Sequence, residues 1–184
     1  SCLLRLHKNV PRHEPSSSQV TRSMERGAPP PGGMGSSTLD RPLSLIGFEY
    51  LHISPEKVTG RLEITERCCQ PWDVMHGGVS AMVAEGTASM GAYVSSGFAR
   101  VAGAQLSINH LRPASLGDSL LAEASPLHAG RTIQVWEVKL WKVGSSDPGN
   151  RTLMSASKVT LVCGRHRQGD NNAYEQVVKR FAKL

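Results

Sequence analysis

The sequence predicts an α+β fold in which an antiparallel sheet surrounds one long helix. Segments of alternating apolar and polar residues, typical of half-buried strands, occur twice before a helical segment and four times after it. The connections between the later segments contain Gly, Asp, Pro and Asn, as hairpin turns do. With 184 residues, 39% of them hydrophobic, the chain is long enough for one domain with a substantial core.

The N-terminal extension, residues 1–42, is predicted to be disordered. It is rich in Ser, Pro, Gly and Arg and has few apolar side chains, so it cannot bury enough surface to offset the entropy of ordering. The chain begins with Ser, and Met24 offers a second start, in which case residues 1–23 lie outside the native protein. The alternative is a transit peptide, because this segment is basic, contains Ser and has few acids.

The folded domain is predicted to span residues 43–164 and to open with a short helical lead-in and two strands. Residues 43–53 hold the lead-in and the first strand, and a turn at 54–56 leads to a second strand at 57–65. Within the second strand Val58, Gly60, Leu62 and Ile64 alternate with polar residues. That alternation predicts one buried face.

The long helix is predicted in the second part of residues 70–97. The residues that recur at three- and four-residue steps, the period of one helical face, are Val79, Met82, Val83, Gly86, Met90 and Tyr93. Most of the remaining residues are Ala or Gly, although each glycine costs a helix roughly 1 kcal/mol relative to alanine. Such a helix is expected where other backbone approaches closely, as it does inside a wrapped sheet.

One carboxylate, Glu85, lies in the middle of this helix. No Lys or Arg occurs between residues 71 and 99, so no cation on this segment can pair with it. At the front of the helix, His76-Gly77-Gly78 allows a tight turn and leaves N–H groups free to bind an anion or an oxyanion. Glu85 and the helix start are therefore the candidate functional residues.

Four further strands are predicted after the helix, at residues 101–113, 119–127, 132–143 and 153–163. Residues 165–184 follow as a C-terminal tail, polar as far as residue 178. The chain ends in Ala182, Lys183 and Leu184, which is similar to the Ser-Lys-Leu address that a receptor reads for import into peroxisomes. We therefore expect the protein to be peroxisomal and to bind the import receptor.

Several motifs together resemble the hotdog-fold acyl-CoA thioesterases of the 4-hydroxybenzoyl-CoA type. Gln70-Pro71 and His76-Gly77-Gly78, with Glu85 nine residues after the His, carry the resemblance. It continues through residues 102–113 and 130–138, and covers roughly residues 43–163. Within that family the chain is most similar to the plant peroxisomal 1,4-dihydroxy-2-naphthoyl-CoA thioesterases of phylloquinone (vitamin K1) synthesis. The resemblance implies hydrolysis of an aromatic acyl-CoA without any cofactor beyond the CoA of the substrate.

Thioester hydrolysis needs a nucleophile or a base, donors for the developing oxyanion, and a site for CoA. Glu85 is expected to be the nucleophile or the general base, and both roles stay open. Gly78 N–H and the Gln70 amide are expected to polarise the carbonyl. The resemblance gives His76 a part in shaping the turn and Ser89 a part in orienting the carboxylate or its water.

The spacing of Gly78 and Glu85 predicts a site shared between subunits. Seven residues separate them, so they stand on the order of 10 Å apart along one helix and cannot readily reach one carbonyl carbon. Two helices meeting antiparallel would bring Gly78 of one subunit to Glu85 of the other. We expect a homodimer with a composite site, assembled as a dimer of dimers as in the family. For CoA, the expected contacts are Asn109, His110, Arg112 and Arg131, because arginines suit phosphates.

Other classes of function are disfavoured. The net charge of +6 lies in the two tails, residues 1–26 and 165–184, and the body has as many acids as bases, which argues against a nucleic-acid binder. No run of apolar residues is long enough for a membrane span. The four cysteines lack metal-ligand spacing, and His76 and Glu85 do not share a helical face, so no metal site is expected. A hotdog enoyl-CoA hydratase or dehydratase and a non-catalytic CoA-binding regulator remain as alternatives.

Overall fold

The computed structural model describes residues 39–144, 150–164 and 172–184. Most of the predicted disordered extension, including Met24, lies outside the described residues. Its last residues differ from the prediction: Leu39 is buried, and Asp40 caps the first helix by accepting a hydrogen bond from Leu43 N–H at 3.0 Å. Leu39 and Asp40, which precede the predicted start at residue 43, therefore belong to the folded domain.

The described residues form three α-helices, one short 3-10 helix (Glu66–Cys68) and six strands. In chain order the α-helices and strands are α1 (Arg41–Leu45), β1 (Glu49–Ile53), β2 (Val58–Glu63), α2 (Gly77–Ser95), β3 (Val101–His110), β4 (Ser119–Ala129), β5 (Ile133–Val143), β6 (Arg151–Cys163) and α3 (Asn172–Phe181). All six strands form one antiparallel sheet in the order β1-β2-β4-β5-β6-β3. The predicted α+β class, an antiparallel sheet around one long helix, is confirmed.

Helix α2 is the centre of the core, and it packs against all six strands. Small residues allow this: a Cβ on Gly91 would collide with the ring of Trp136, which is fully buried on β5. A Cβ on Gly86 would meet Leu43 Cδ1 of α1 at 2.7 Å. The glycines that weaken the isolated helix therefore permit close packing on two of its sides. No described helix has the length and hydropathy needed to span a membrane.

The tail predicted at residues 165–184 contains a helix that the sequence analysis missed. Helix α3 buries Val178 completely, and Tyr174 donates a hydrogen bond to Leu39 O at 2.6 Å. Beyond the helix, Lys183 N–H donates to Ile53 O at 2.8 Å, at the end of the edge strand β1. The apolar residues of α3 recur at three- and four-residue steps, and the many charges around them hid this pattern.

Strand β3 is the other edge of the sheet. Among the described strands it pairs with β6 alone, and most of its residues are exposed, although it is ten residues long. The register with β6 shifts between Gly103 and Gln105, so the strand has a bulge at Ala104. A long exposed edge strand is a site for pairing with another strand.

Candidate active site

A cavity of about 380 Å³ lies where α2 begins. Its lining comes from the loop before α2, the first turn of α2 and the end of β3. Three of the residues predicted for the site, Gln70, His110 and Arg112, line this cavity together with Gly77. The fold thus brings together residues that are up to 42 positions apart in the chain.

His76 caps the N-terminus of α2. Its backbone is extended, and its ring Nδ1 accepts a hydrogen bond from Gly78 N–H at 2.9 Å. The bond assigns the neutral ring its proton on Nε2, since Nδ1 acts as acceptor. Gly78 N–H, the donor predicted to polarise a thioester carbonyl, is therefore already hydrogen-bonded to His76 in this structure. A substrate oxygen reaches Gly78 N–H only after the imidazole turns away.

Gln70 is held by a tight turn beside this helix start. Its N–H donates to Val74 O at 2.9 Å, and Asp73 N–H donates to Gln70 O at 3.1 Å. Asp73 adopts a left-handed backbone with φ 56°, a conformation that Asp tolerates better than most residues. The turn therefore fixes the backbone of Gln70, and this residue lines the cavity.

His110, predicted as a CoA contact, lines the cavity and lies against the first turn of α2. Its Nδ1 is 3.4 Å from Ser80 Oγ, and Ser80 donates to Gly77 O at 2.7 Å. The imidazole fits because Gly77 has no side chain: a Cβ there would be 3.3 Å from His110 Nε2. The sequence could not reveal this contact, because it joins residues on elements far apart in the chain.

The other residues predicted to bind CoA do not form one group within a single chain. Asn109 faces the opposite side of β3 from His110, in a shallow groove with Lys158, because strand residues alternate between faces. Arg112 lies at the cavity and donates to Leu153 O at 3.1 Å. Arg131 is exposed in the β4–β5 turn, next to the end of the sheet where β3 starts. The role of these residues in binding CoA stays a prediction.

Glu85 is half-buried in the middle of α2, away from the cavity. Ser89 Oγ donates a hydrogen bond to Glu85 Oε1 at 2.9 Å, one turn along the helix. The carboxylate packs against Gly103 near the start of β3. No described Lys or Arg forms a salt bridge with Glu85. Ser89 therefore stands where the resemblance expects it.

A tyrosine that the sequence analysis did not select lies beside Glu85. Tyr50, on β1, donates to Gly86 O at 3.3 Å. Burial, and then the negative charge of Asp40, raise the pKa of Tyr50 well above its ordinary value of 10, with smaller effects from Tyr174 and Glu85. The phenol therefore stays neutral and donates a hydrogen bond to the backbone of α2. The local sequence around Tyr50 gives no indication of this contact, because the hydrogen-bond partner lies 36 positions away.

The two halves of the predicted machinery are separate in one chain. Glu85 lies beside Gly103 near the start of β3, whereas Gly77 and Ser80 lie beside His110 at its end. Along β3 the seven residues from Gly103 to His110 span roughly 23 Å at about 3.3 Å per residue, and along α2 Gly78 and Glu85 are on the order of 10 Å apart. Among the described residues no group of three or more His, Cys, Asp or Glu side chains is arranged to hold a metal ion.

Comparisons with known proteins show which family the chain resembles. Residues 73–147 match the family model of the thioesterase superfamily. The 1,4-dihydroxy-2-naphthoyl-CoA thioesterase 2 of Arabidopsis thaliana is 53% identical over 127 residues, which cover 68% of this chain and 81% of that protein. A 1,4-dihydroxy-2-naphthoyl-CoA hydrolase of Listeria monocytogenes is 38% identical, with 52% and 77% covered. The crystal structure of a Haemophilus influenzae thioesterase superimposes with a TM-score of 0.60 at 28% identity, covering 70% of this chain and 86% of that one.

Proposed function

The chain belongs to the thioesterase superfamily, and on that premise we propose that it hydrolyses 1,4-dihydroxy-2-naphthoyl-CoA to 1,4-dihydroxy-2-naphthoate and CoA. The observation that carries the proposal is the 53% identity to a plant protein named for this substrate. The relatives from Listeria monocytogenes and Escherichia coli have names with the same substrate. The half-buried Glu85, held by Ser89, supports the reaction class.

Glu85 acts on the thioester in one of two ways. As a general base it takes a proton from water while the water oxygen adds to the carbonyl carbon. As a nucleophile it adds to that carbon itself, and water then hydrolyses the resulting anhydride. In both cases the C–S bond breaks, CoA leaves as a thiolate that takes up a proton, and the acyl group becomes a carboxylate. Ser89 holds Oε1, which fixes the direction of the other carboxylate oxygen.

The developing oxyanion needs donors, and the start of α2 supplies them. We assign this part to Gly78 N–H and the Gln70 amide, with the positive end of the helix dipole adding to their field. In the free enzyme Gly78 N–H is hydrogen-bonded to His76 Nδ1. In our proposal this bond breaks when the substrate carbonyl binds. His110 lines the same cavity.

A second copy of the chain unites the two halves of the site. The β3 edge has no further strand beside it among the described residues of one chain. Antiparallel pairing of two β3 strands about a two-fold axis near Leu106 and Ser107 sets Gly103 opposite the partner's His110. Glu85 of one subunit then faces the helix start of the other. We propose this dimer as the active unit and a dimer of dimers as the assembly, which the mass in solution measures.

The same pairing provides a place for CoA. It brings the β4–β5 turn of one subunit, with Arg131, to the end of the dimer site where Arg112 of the other subunit lies. Two intervening strands separate them laterally by roughly 15 Å at about 4.8 Å per strand. We assign Arg112 and Arg131 to the phosphates of CoA, and Asn109 to the outer rim of the same site.

The substrate assignment is tested by CoA release from 1,4-dihydroxy-2-naphthoyl-CoA, benzoyl-CoA and a long-chain acyl-CoA. We expect kcat/KM for the naphthoyl ester to exceed that for the long-chain ester by at least two orders of magnitude, about 2.7 kcal/mol. Equal values for all three esters, or a preference for the long chain, would contradict the substrate assignment. Binding of all three without turnover would contradict hydrolysis itself.

Residues 182–184 support a proposal about location. Leu184 is 75% exposed and Lys183 is exposed as well, whereas Ala182 is half-buried and Lys183 N–H is bonded to Ile53 O. A receptor that binds all three residues must therefore displace this contact with β1. We propose that this tripeptide directs the protein to peroxisomes through the import receptor. A fluorescent protein fused to the N-terminus should give a punctate peroxisomal signal, and replacement of Leu184 by Gly should disperse it. A punctate signal that survives the replacement would contradict the role of the tripeptide.

A further inference from the structure

Gly103, on β3, lies directly over the carboxylate of Glu85. A Cβ at this position would lie 2.9 Å from Glu85 Oε1 and 3.7 Å from both Cδ and Cγ. The three nearest atoms to that missing methyl group all belong to Glu85. The space left by the glycine is therefore the space in which the carboxylate sits.

The backbone does not explain this glycine. Gly47, Gly97 and Gly117 adopt the left-handed region, which side chains other than glycine avoid, but Gly103 does not. Glycine inside a strand weakens it and often marks a bulge or a close approach. Here both apply: the register shift follows at Ala104, and the approach is by a side chain of α2.

Oε1 is fixed from two sides by this arrangement. Ser89 donates to it from the helix at 2.9 Å, and Gly103 on β3 leaves it within 2.9 Å of the place that a Cβ would take. A methyl group at position 103 would conflict with the far end of a flexible side chain and not with backbone. The side chain can rotate away at small cost, so the fold would tolerate the methyl group while the carboxylate would move.

We propose that Gly103 is a positioning residue for thioester hydrolysis, whose lack of a side chain holds the Glu85 carboxylate at the reacting carbon. The proposal rests on the function assigned to Glu85 above. Displacement of a reacting group by about 1 Å can cost on the order of a hundredfold in rate. Gly103→Ala is therefore expected to lower kcat by between tenfold and a hundredfold, to leave KM within about twofold, and to leave the melting temperature unchanged.

A matched control is Gly164→Ala, the same exchange at a glycine where a Cβ would meet Arg100 O at an ordinary 3.4 Å. It should leave kcat and the melting temperature unchanged. A steric partner test uses Glu85→Asp, whose carboxylate is one methylene shorter and withdraws from position 103. In that background Gly103→Ala should change kcat by less than about threefold, which is a non-additive result for two residues in contact.

Three outcomes would overturn the inference. They are a kcat in Gly103→Ala within twofold of wild type, an equal loss of kcat in the wild-type and Glu85→Asp backgrounds, and a melting temperature or dimer mass that falls with the replacement. The last result would make Gly103 a structural residue. If Glu85→Gln itself keeps full kcat, the catalytic role proposed for Glu85 fails, and the role of Gly103 fails with it. If Glu85→Gln is inactive and Gly103→Ala is normal, only the role of Gly103 fails.

Discussion

The hydrogen bond between Ser89 and Glu85 is the shortest-range part of the proposed machinery. Because the hydroxyl donates to Oε1 at 2.9 Å, it restricts the carboxylate to one orientation. We expect Ser89→Ala to lower kcat about tenfold with KM nearly unchanged, since the bond acts through the base and not through substrate binding. Steady-state kinetics measures this.

The control for that prediction is Ser96→Ala at the end of the same helix, where the hydroxyl donates to Tyr93 O at 3.1 Å and lies far from Glu85. It should keep full activity. Equal kinetics for wild type and Ser89→Ala would show that the hydroxyl plays no part in catalysis.

Tyr174 gives the fold a dependence on high pH. Burial, and then Asp40 and Tyr93, raise the pKa of Tyr174 to about 12 in the folded state, against 10 when unfolded. The unfolded chain therefore loses this proton first, and the resulting stabilisation is complete below pH 10 and is lost as the pH rises toward 12. We expect Tyr174→Phe to lose stability at neutral pH with the bond to Leu39 O, but to decline less between pH 10 and 12. Urea unfolding at several pH values measures both effects, and parallel declines would contradict the assignment.

At the scale of single residues, the sequence identified Glu85 because an acid without a local cation is visible in the chain. The sequence could not show that His76 accepts a hydrogen bond from Gly78 N–H, because that bond depends on the rotamer of the His76 side chain. Nor could it separate Asn109 from His110 by function, because both lie on one strand and only the position of α2 distinguishes their faces. Tyr50 and Gly103 contact residues of α2 that are distant in the sequence, so local residue spacing does not reveal them.

At the scale of elements, α2 depends on glycine where β5 approaches. Gly91→Ala should gain roughly 1 kcal/mol in helix propensity, yet a Cβ there collides with Trp136. That ring cannot easily move, because it is fully buried and its Nε1 donates to Gln134 Oε1 at 2.9 Å. Overpacking of about 1–3 kcal/mol therefore outweighs the gain, and net destabilisation is expected.

Urea unfolding tests this prediction through the double variant Gly91→Ala with Trp136→Phe. The smaller ring leaves room for the methyl group, so the double variant should lose less stability than the sum of the two single losses. Stabilisation by Gly91→Ala alone would contradict the close packing of α2 on β5.

The strands were predictable because their alternation repeats over five to thirteen residues, and the sheet confirms all six. The exception among the elements is α3. Its Tyr174, Val177, Val178 and Phe181 follow a helical period, but the polar composition of the tail outweighed four residues in the prediction. The contacts that hold it, with Leu39 and Tyr93, come from more than 80 residues away and could not be anticipated.

At the scale of the whole molecule, a site divided between subunits predicts complementation. Glu85→Gln removes one half of each site, and Gln70→Ala weakens the other. Mixing the two impaired dimers under conditions of subunit exchange should restore roughly a quarter of wild-type activity, because half of the random dimers then hold one intact site. CoA release after exchange measures this. A mixture no more active than its components would place each site within a single subunit.

The measurement that tests the account most directly is CoA release from 1,4-dihydroxy-2-naphthoyl-CoA by the wild type and by Glu85→Gln. The amide keeps the size of the side chain and removes only its charge and basicity. We expect turnover by the wild type and a kcat at least about a hundredfold lower in the variant, within the range that a general base contributes. A variant that releases CoA as fast as the wild type would remove Glu85 from the mechanism, and with it the site proposed here.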